Sequence, residues 1–493
     1  MGKDRFRVDN QLVPLLAEDL PRELETQSPD YRPYVIASVI QSRLGPLAPY
    51  WLRPQVLEEA RGAVRDSELA RLPDLARRPR PAYGLALVTC CVGNCANESA
   101  GTEGDGGEAA LLRPALVLPF RWQRDGDPTG VPEDFLQLAD RVKRELENSG
   151  ERGLAVGDFQ LTWAYDELRQ VDAGGLQCET DSGFFALAAS LYMAAREQDG
   201  QVDPRVWITG GWDSDKRTVQ SVGGIARKIR TMLDFGAKHI FVPAPNLDEA
   251  EREVEKLAVR NRCRVEDLSP ARGDVRNAFR NVLKVFRAEP AADAPFSDRA
   301  DYYKHLFVFN RTEDRKYYRN HLLDDIIEKC RERLSDELRR ISEKGPIVVT
   351  TLSNQCELVR LAHGVFRPSR MIVLRTAGGS PQSDFWEKHK DILEQWQREY
   401  GLDCEARRFP AASPEEATQS ANALYRELQD VPEERPIVVD LTPGLKHCSL
   451  ALAMQAPPRA VLVYLQHAYD PRVGCPDPGT EAYTIINHRR RAS

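Results

Sequence analysis

Beyond residue 345 the chain repeats one pattern, a short apolar run followed by a longer stretch whose apolar positions recur with helical spacing. The runs fall at 347–350, 371–374, 437–440 and 461–465, and the same alternation places a further strand at Cys404-Glu-Ala-Arg407. Strand-length runs alternating with helical stretches predict a parallel sheet with helices on both faces, a Rossmann-like topology. The first half of the chain has a different texture. Strands are predicted at 83–89 and 115–120, a strand pair over 153–163, and single strands at 206–209 and 239–243, with helices over 182–195 and from Ile225 onward. That mixture predicts an α+β unit.

The intervening segments complete the domain plan. Residues 1–80 read as short helices broken by prolines, with apolar cores at 34–40 and 55–60. The loop 93–107 is rich in Gly, Asn and Ser and buries too little to hold one conformation. Residues 288–344 open with Ala and Pro and continue as highly charged, helix-period sequence, which predicts a helical connector. The expected fold class is α/β multidomain: a helical N-terminal extension (1–80), an α+β domain (81–287), a helical connector (288–344) and a parallel-sheet domain (345–493).

Composition narrows the functional classes. With 493 residues, 42% of them hydrophobic and 29% charged, the chain has the apolar mass of a soluble protein of about three domains. No run reaches membrane-spanning length, and Met1-Gly-Lys-Asp-Arg-Phe-Arg7 lacks the apolar segment of a secretory signal, so a cytoplasmic location is expected. Ten cysteines are scattered without paired CxxC units, and the Cys91/Cys95 spacing has no partner to complete a zinc site, so no metal is expected. A net charge of −7 argues against general nucleic-acid binding. Protein and small-molecule partners are expected, with no membrane and no direct DNA contact.

Candidate chemistry begins at Glu179-Thr-Asp-Ser182, which fronts the apolar stretch 182–195. Asp and Ser oxygens cap helix starts, so Ser182 reads first as a cap. Its other reading is a nucleophile, which requires a base. All eight histidines lie at or after His239, which leaves a Ser-His-Asp triad in the α+β unit with little support. Lysine is the remaining option. After Gly223-Gly224 a helix is predicted with Ile225, Ile229, Met232 and Leu233 as its apolar stripe, stopped by Gly236. Lys228 lies at the border of that stripe, where its amine is either partly desolvated and able to take a serine proton, or snorkels to water above a packed stem.

Ser182-Gly183, Ile208-Thr-Gly210, Gly223-Gly-Ile-Ala-Arg-Lys228 and the strand ending at Pro243, taken in that order, resemble the proteolytic domain of Lon-type proteases. The resemblance implies Ser182 as nucleophile, Lys228 as general base, Thr209 as a hydroxyl that orients the lysine, and Glu179 at the family's acidic position. Backbone N–H groups at the start of the 182–195 helix are expected to stabilise an oxyanion. The chain departs from the family's Asp-Gly-Pro-Ser-Ala-Gly, carrying Glu179-Thr-Asp-Ser-Gly-Phe184 instead. It has no Gly-x-x-x-x-Gly-Lys-Ser/Thr motif, which implies an ATP-independent protease without an unfolding motor.

In an open α/β sheet, ligands bind beyond the carboxyl ends of the strands, where the strand order reverses. If the order is 3-2-1-4-5, the loops at that point are Thr351-Leu-Ser353-Asn354-Gln355 and Leu441-Thr442-Pro443-Gly444-Leu445-Lys446. Each opens a helix. A hydroxyl at Thr442, close backbone approach at Gly444 and positive charge at Lys446 suit phosphate, while ordinary caps and turns are the alternative. No Gly-x-Gly-x-x-Gly follows the first strand, which makes a dinucleotide cofactor a minor alternative.

The same loops resemble the CRISPR-associated Rossmann fold (CARF) domain. Residues 348–376 look like its first β-α-β unit, and Asp440-Leu-Thr-Pro-Gly-Leu-Lys446 looks like its Asp-x-Thr-Gly-Gly-x-Lys loop, with Pro443 replacing the first glycine of the pair. The resemblance implies that Thr351, Ser353, Asn354, Gln355, Thr442, Pro443, Gly444, Leu445 and Lys446 contact a cyclic oligoadenylate held across a two-fold homodimer, or within a higher assembly. Cyclic tetra-adenylate (cA4) is the first candidate and cyclic hexa-adenylate (cA6) the second. Together the two resemblances imply a cyclic-oligoadenylate-activated Ser-Lys endopeptidase of type III CRISPR defence. It would carry no cofactor, cut a partner protein encoded nearby, and use 288–344 to relay ligand binding. The alternative is a non-catalytic sensor or regulator on a degenerate Lon-like scaffold.

Overall fold

A computed structural model describes residues 45–53, 80–91, 114–151, 154–171, 179–196, 201–257, 262–268, 273–377, 385–471 and 474–486. The segments 34–40, 55–60 and 93–107, Cys95, Cys178 and the basic tail 488–493 lie outside the described residues. The chain divides into two units, Met1–Glu289 and Pro290–Ser493. Among the described residues, no helix is long and apolar enough to cross a membrane.

In the first unit an antiparallel sheet is formed by β1 (Leu85–Cys90), β2 (Leu116–Arg124) and, after helix α1 (Glu133–Glu147), β3 (Phe159–Trp163). Of the strand pair expected over 153–163, the described residues form one strand. Phe159 N–H bonds back to the Val156 carbonyl at 3.2 Å, closing a turn at Gly157 and Asp158 ahead of it. Helix α2 (Phe184–Arg196) is apolar on every side because it is surrounded: it packs on α1, β1 and β2, and ten of its residues are buried. Strand β4 (Val206–Ile208), the hairpin β5 (Gly211–Asp213) and β6 (Thr218–Gln220), helix α3 (Ile225–Asp234), β7 (His239–Pro243), helix α4 (Leu247–Lys256) and β8 (Arg264–Leu268) come next along the chain. Strands β4, β7 and β8 form a parallel sheet in the order β8-β7-β4, and β5 pairs antiparallel with β6.

The second unit is built on six strands: β9 (Ile347–Thr351), β10 (Arg370–Ala377), β11 (Cys404–Pro410), β12 (Ile437–Asp440), β13 (Ala460–Gln466) and β14 (Ala482–Ile485). Their order is β11-β10-β9-β12-β13-β14. The first five are mutually parallel, and β14 runs antiparallel on β13. In chain order this is 3-2-1-4-5-6, so the order reverses between β9 and β12.

Side chains alternate across these strands and make two cores. Val348, Val373, Val438 and Val463 face one side, while Ile347, Val349, Ile372, Val439 and Leu462 face the other. Helices α5 (Phe296–Phe309), α6 (Leu323–Glu332), α7 (Asp336–Glu343), α8 (Glu357–Phe366) and α9 (Phe385–Tyr400) contribute to the first core. Helices α10 (Pro414–Glu427) and α11 (Lys446–Gln455) contribute to the second. The helices of 296–343, expected as a connector, are therefore part of the second unit. Their apolar residues Leu306, Leu322, Ile326, Cys330 and Leu338 lie in one cluster with Val348 and Val438.

Candidate functional site

In the first unit, the local fold explains where Lys228 lies. Gly224, Lys228 and Thr231 are spaced i, i+4 and i+7 and so share one face of α3 and its approach. Gly224 has φ +62°, and a β-carbon on it would overlap the Cys91 sulfur, so only glycine lets the helix start this close to the end of β1. Seven residues on, Thr231 Oγ1 accepts from Ala115 N–H at 3.0 Å. Ala115 precedes Leu116, which pairs with Cys90. The helix therefore crosses the ends of β1 and β2 with this face inward, and Lys228 is carried between the two anchors. Its side chain is 0% exposed, and Nζ has no hydrogen-bond partner among the described residues.

Two residues missed from sequence hold α3 in place. Asn246 accepts from Val222 N–H at 3.0 Å and donates to the Val222 carbonyl at 3.1 Å, fixing the approach to Gly223. Buried Glu253 on α4 pairs with Arg230. Both lie outside any motif, but Glu253 is one turn from Glu249 on an otherwise polar helix, and only the tertiary fold shows which carboxylate is buried.

Ser182 comes to the same strand end from another element. A 3-10 turn over Thr180–Gly183 precedes α2, and within it Ser182 is 2% exposed. Its Oγ is a donor in both of its contacts, to the Glu179 carbonyl at 3.0 Å and, more weakly, to the Thr89 carbonyl at 3.4 Å. Ser182 is therefore not an N-cap, which would accept from a backbone N–H. The Ser182 carbonyl accepts from Gly210 N–H at 2.9 Å and from Thr209 Oγ1 at 3.3 Å. Thr209 thus anchors the serine's backbone in this state and does not bond the lysine amine. The Glu179 carboxylate lies against the Gly223 backbone, 3.5 Å from where a β-carbon would stand, beside the start of α3. Phe184 N–H is bonded to the Asp181 carbonyl, so the first turn of α2 does not offer that group to an oxyanion. Asp181 itself faces away, paired with Arg141 at 2.6 Å.

The structure thus brings Ser182, Thr209 and Glu179 together through backbone contacts and seats the Lys228 helix on the same strand end. It does not bond Ser182 Oγ to Lys228 Nζ. A buried polar head without a partner among the described residues costs about 1–3 kcal/mol of stability.

In the second unit, the loops after β9 and β12 meet at the switch point. A β-carbon on Gly444, at φ +99°, would overlap the Thr351 hydroxyl, and Thr351 Oγ1 donates to the Pro443 carbonyl. Thr442 Oγ1 accepts from Leu465 N–H at 2.7 Å, which ties the β12 loop to β13. Gly444, Leu445 and Lys446 are exposed, and Lys446 opens α11 with no side-chain cap. Across from them, Ser353 Oγ accepts from Gln355 N–H at 3.1 Å, the Asn354 side chain accepts from Lys388 at 2.6 Å, and the Asn354 carbonyl accepts from Arg315 at 3.0 Å. His389 is buried beside them, and burial, with Lys388 and Arg319 nearby, pushes its pKa down. Arg315 and Lys388 are functional candidates that sequence reading missed, because they stand 39 and 34 residues from Asn354 in the chain.

Asp440 lies beneath this crevice, fully buried. It accepts from Thr442 N–H at 2.9 Å and from the Tyr483 hydroxyl at 3.2 Å. Burial outweighs these bonds and pushes its pKa up to about 6. Among the described residues, no group of His, Cys, Asp and Glu is placed to hold a metal ion. No protein-family model matches the sequence, and comparison with curated proteins yields no match.

The Asp440 ionisation carries a stability signature. A carboxyl whose folded pKa is raised makes the folded state bind the proton more tightly, so its contribution is complete below the unfolded value near 4 and is lost as pH rises through about 6. At about 1.4 kcal/mol per tenfold change in ionisation constant, the loss is on the order of 2–3 kcal/mol. In urea unfolding, the stability of Asp440→Asn relative to wild type is expected to rise by that order between pH 4 and pH 7. A difference independent of pH counts against the assignment.

Proposed function

We propose that the chain is a cyclic-oligoadenylate-activated Ser-Lys endopeptidase of type III CRISPR antiviral defence, acting without ATP on a specific partner protein. The observation that carries the reading is Lys228: a fully buried lysine with an unpartnered amine, on the helix face that lies over the strand end to which Ser182 is bonded. The resting serine is closed, with its proton held by backbone carbonyls. Ligand binding in the second unit opens the 3-10 turn and releases Oγ toward Nζ. Oγ then attacks the scissile carbonyl as its proton passes to Nζ. The ammonium gives that proton to the departing amine as the C–N bond breaks, and water hydrolyses the acyl-enzyme. Thr209 and Gly210 hold the serine's backbone throughout.

The crevice at β9 and β12 takes the activator. Lys446 opens α11 without a side-chain cap, Arg315 and Lys388 bond the Asn354 loop, and the two loops meet at Thr351 and Pro443, a set of donors that suits a cyclic tetra-adenylate (cA4) or hexa-adenylate (cA6) phosphate ring shared by a homodimer. Without an ATPase motor the protease acts on exposed segments. The rival reading, a non-catalytic sensor, draws on the absence of a Ser182–Lys228 hydrogen bond in the resting state.

A fluorescent fluorophosphonate separates the two. The full chain is expected to be labelled at Ser182 only with cA4 or cA6 present, and Ser182→Ala to abolish labelling. Lys228→Met is expected to slow it at least about 100-fold while leaving thermal stability equal or higher, since it removes an orphaned polar head. Wild-type rates in Lys228→Met favour the rival. Lys446→Glu is expected to weaken activator binding in calorimetry about tenfold or more, the scale of one charged hydrogen bond. Unchanged affinity removes that loop from the site.

A further inference from the structure

A second orphaned polar atom lies at the same strand end. Thr89 is 1% exposed, and its Oγ1 has no hydrogen-bond partner among the described residues. Its backbone carbonyl is the one that faces Ser182 Oγ at 3.4 Å. Side chains two apart along an extended strand share a face, and Cys91, two residues on, meets Gly224 at the start of α3. The alternation therefore puts the Thr89 side chain on the side of the chain from which Cys91 meets the start of α3. A hydroxyl has one proton to donate and two lone pairs, and strands that pack against helices rarely leave all three unused.

Resting on the Ser-Lys reading, we infer that Thr89 is a positioning residue of the protease: its hydroxyl receives an N–H of Lys228 and aims the amine at Ser182 when the turn opens. When Oγ bonds to the substrate carbonyl carbon, its proton moves to Nζ, and the ammonium so formed has three N–H donors. Thr89 Oγ1 accepts one of them, leaving another directed at the departing nitrogen. In the closed form neither atom has a hydrogen-bond partner among the described residues. This separates Thr89 from Thr209, whose hydroxyl is spent on the serine's backbone.

The test uses the full chain with cA4 or cA6 and a fluorophosphonate, for which Oγ displaces fluoride from phosphorus. The maximal labelling rate, the probe concentration at half-maximal rate and the melting temperature are measured for wild type, Thr89→Val and Thr89→Ser. Thr89→Val preserves shape and removes the hydroxyl. Its maximal rate is expected to fall about tenfold to a hundredfold, the range for one hydrogen bond to a charged group, with half-saturation unchanged and the melting temperature equal or higher. Thr89→Ser restores the hydroxyl and is expected within about twofold of wild type, since one hydrogen bond is retained. Wild-type rates in Thr89→Val, equal slowing in Thr89→Ser, or slowing accompanied by a lower melting temperature each overturn the inference while leaving the Ser-Lys reading in place. Failure of wild-type Ser182 to be labelled overturns both.

Discussion

The contact between Gly224 and Cys91 governs the first unit's candidate site. Because no side chain fits between them, α3 begins against the end of β1, and the helical repeat then sets the direction of each later side chain. Four residues on is Lys228, and seven on is Thr231, locked to Ala115. Move the first contact by one residue and the helix turns by about 100°, which would send Lys228 toward solvent. The lysine's burial is thus a consequence of backbone packing at a glycine, and not of any attraction between the amine and its surroundings.

The two units show opposite uses of buried polarity. In the second, Asp440 is buried but fully engaged, with Thr442 and Tyr483 donating to it, and it helps to define one arrangement of the β12 loop. In the first, Lys228 Nζ and Thr89 Oγ1 are buried and unengaged among the described residues. A satisfied network stiffens a loop, whereas an unsatisfied pair stores a cost that a conformational change can release.

Much of the second unit was legible because β9, β10 and β12 are covered on both sides and read as apolar runs, whereas β11, a mostly exposed edge strand, is legible only from its place in the alternation. Strands β9, β10, β11, β12 and β13 followed from alternation alone, and a Rossmann-like order then located the reversal point and its crevice. Features that depend on distance in sequence were not legible. Arg315 and Lys388 reach Asn354 only after folding, and Leu465 N–H likewise reaches Thr442 Oγ1 only then. The charged helices of 296–343 looked like a connector because their apolar positions are few, yet Leu306, Ile326, Cys330 and Leu338 among them are buried. In the first unit the Gly-Gly-to-Lys spacing placed Lys228 at a stripe border, one step short of its full burial. The 3-10 turn at Ser182 had no signal, since Thr-Asp-Ser-Gly is equally suited to a cap, a turn or a nucleophile's approach.

On the proposed Ser-Lys reading, the closed turn around Ser182 would also fix how quiet the protein is before any signal arrives. If only the open turn reacts, basal activity equals the open fraction multiplied by the open form's rate, and every 1.4 kcal/mol or so that favours the closed turn lowers that leak about tenfold. The bonds that set this figure are those that opening breaks, from Ser182 Oγ to the Glu179 and Thr89 carbonyls. On that reading a cell could keep such a chain in stock at high concentration, with the background set by the hold of two carbonyls on one hydroxyl and not by how much of the protein it makes.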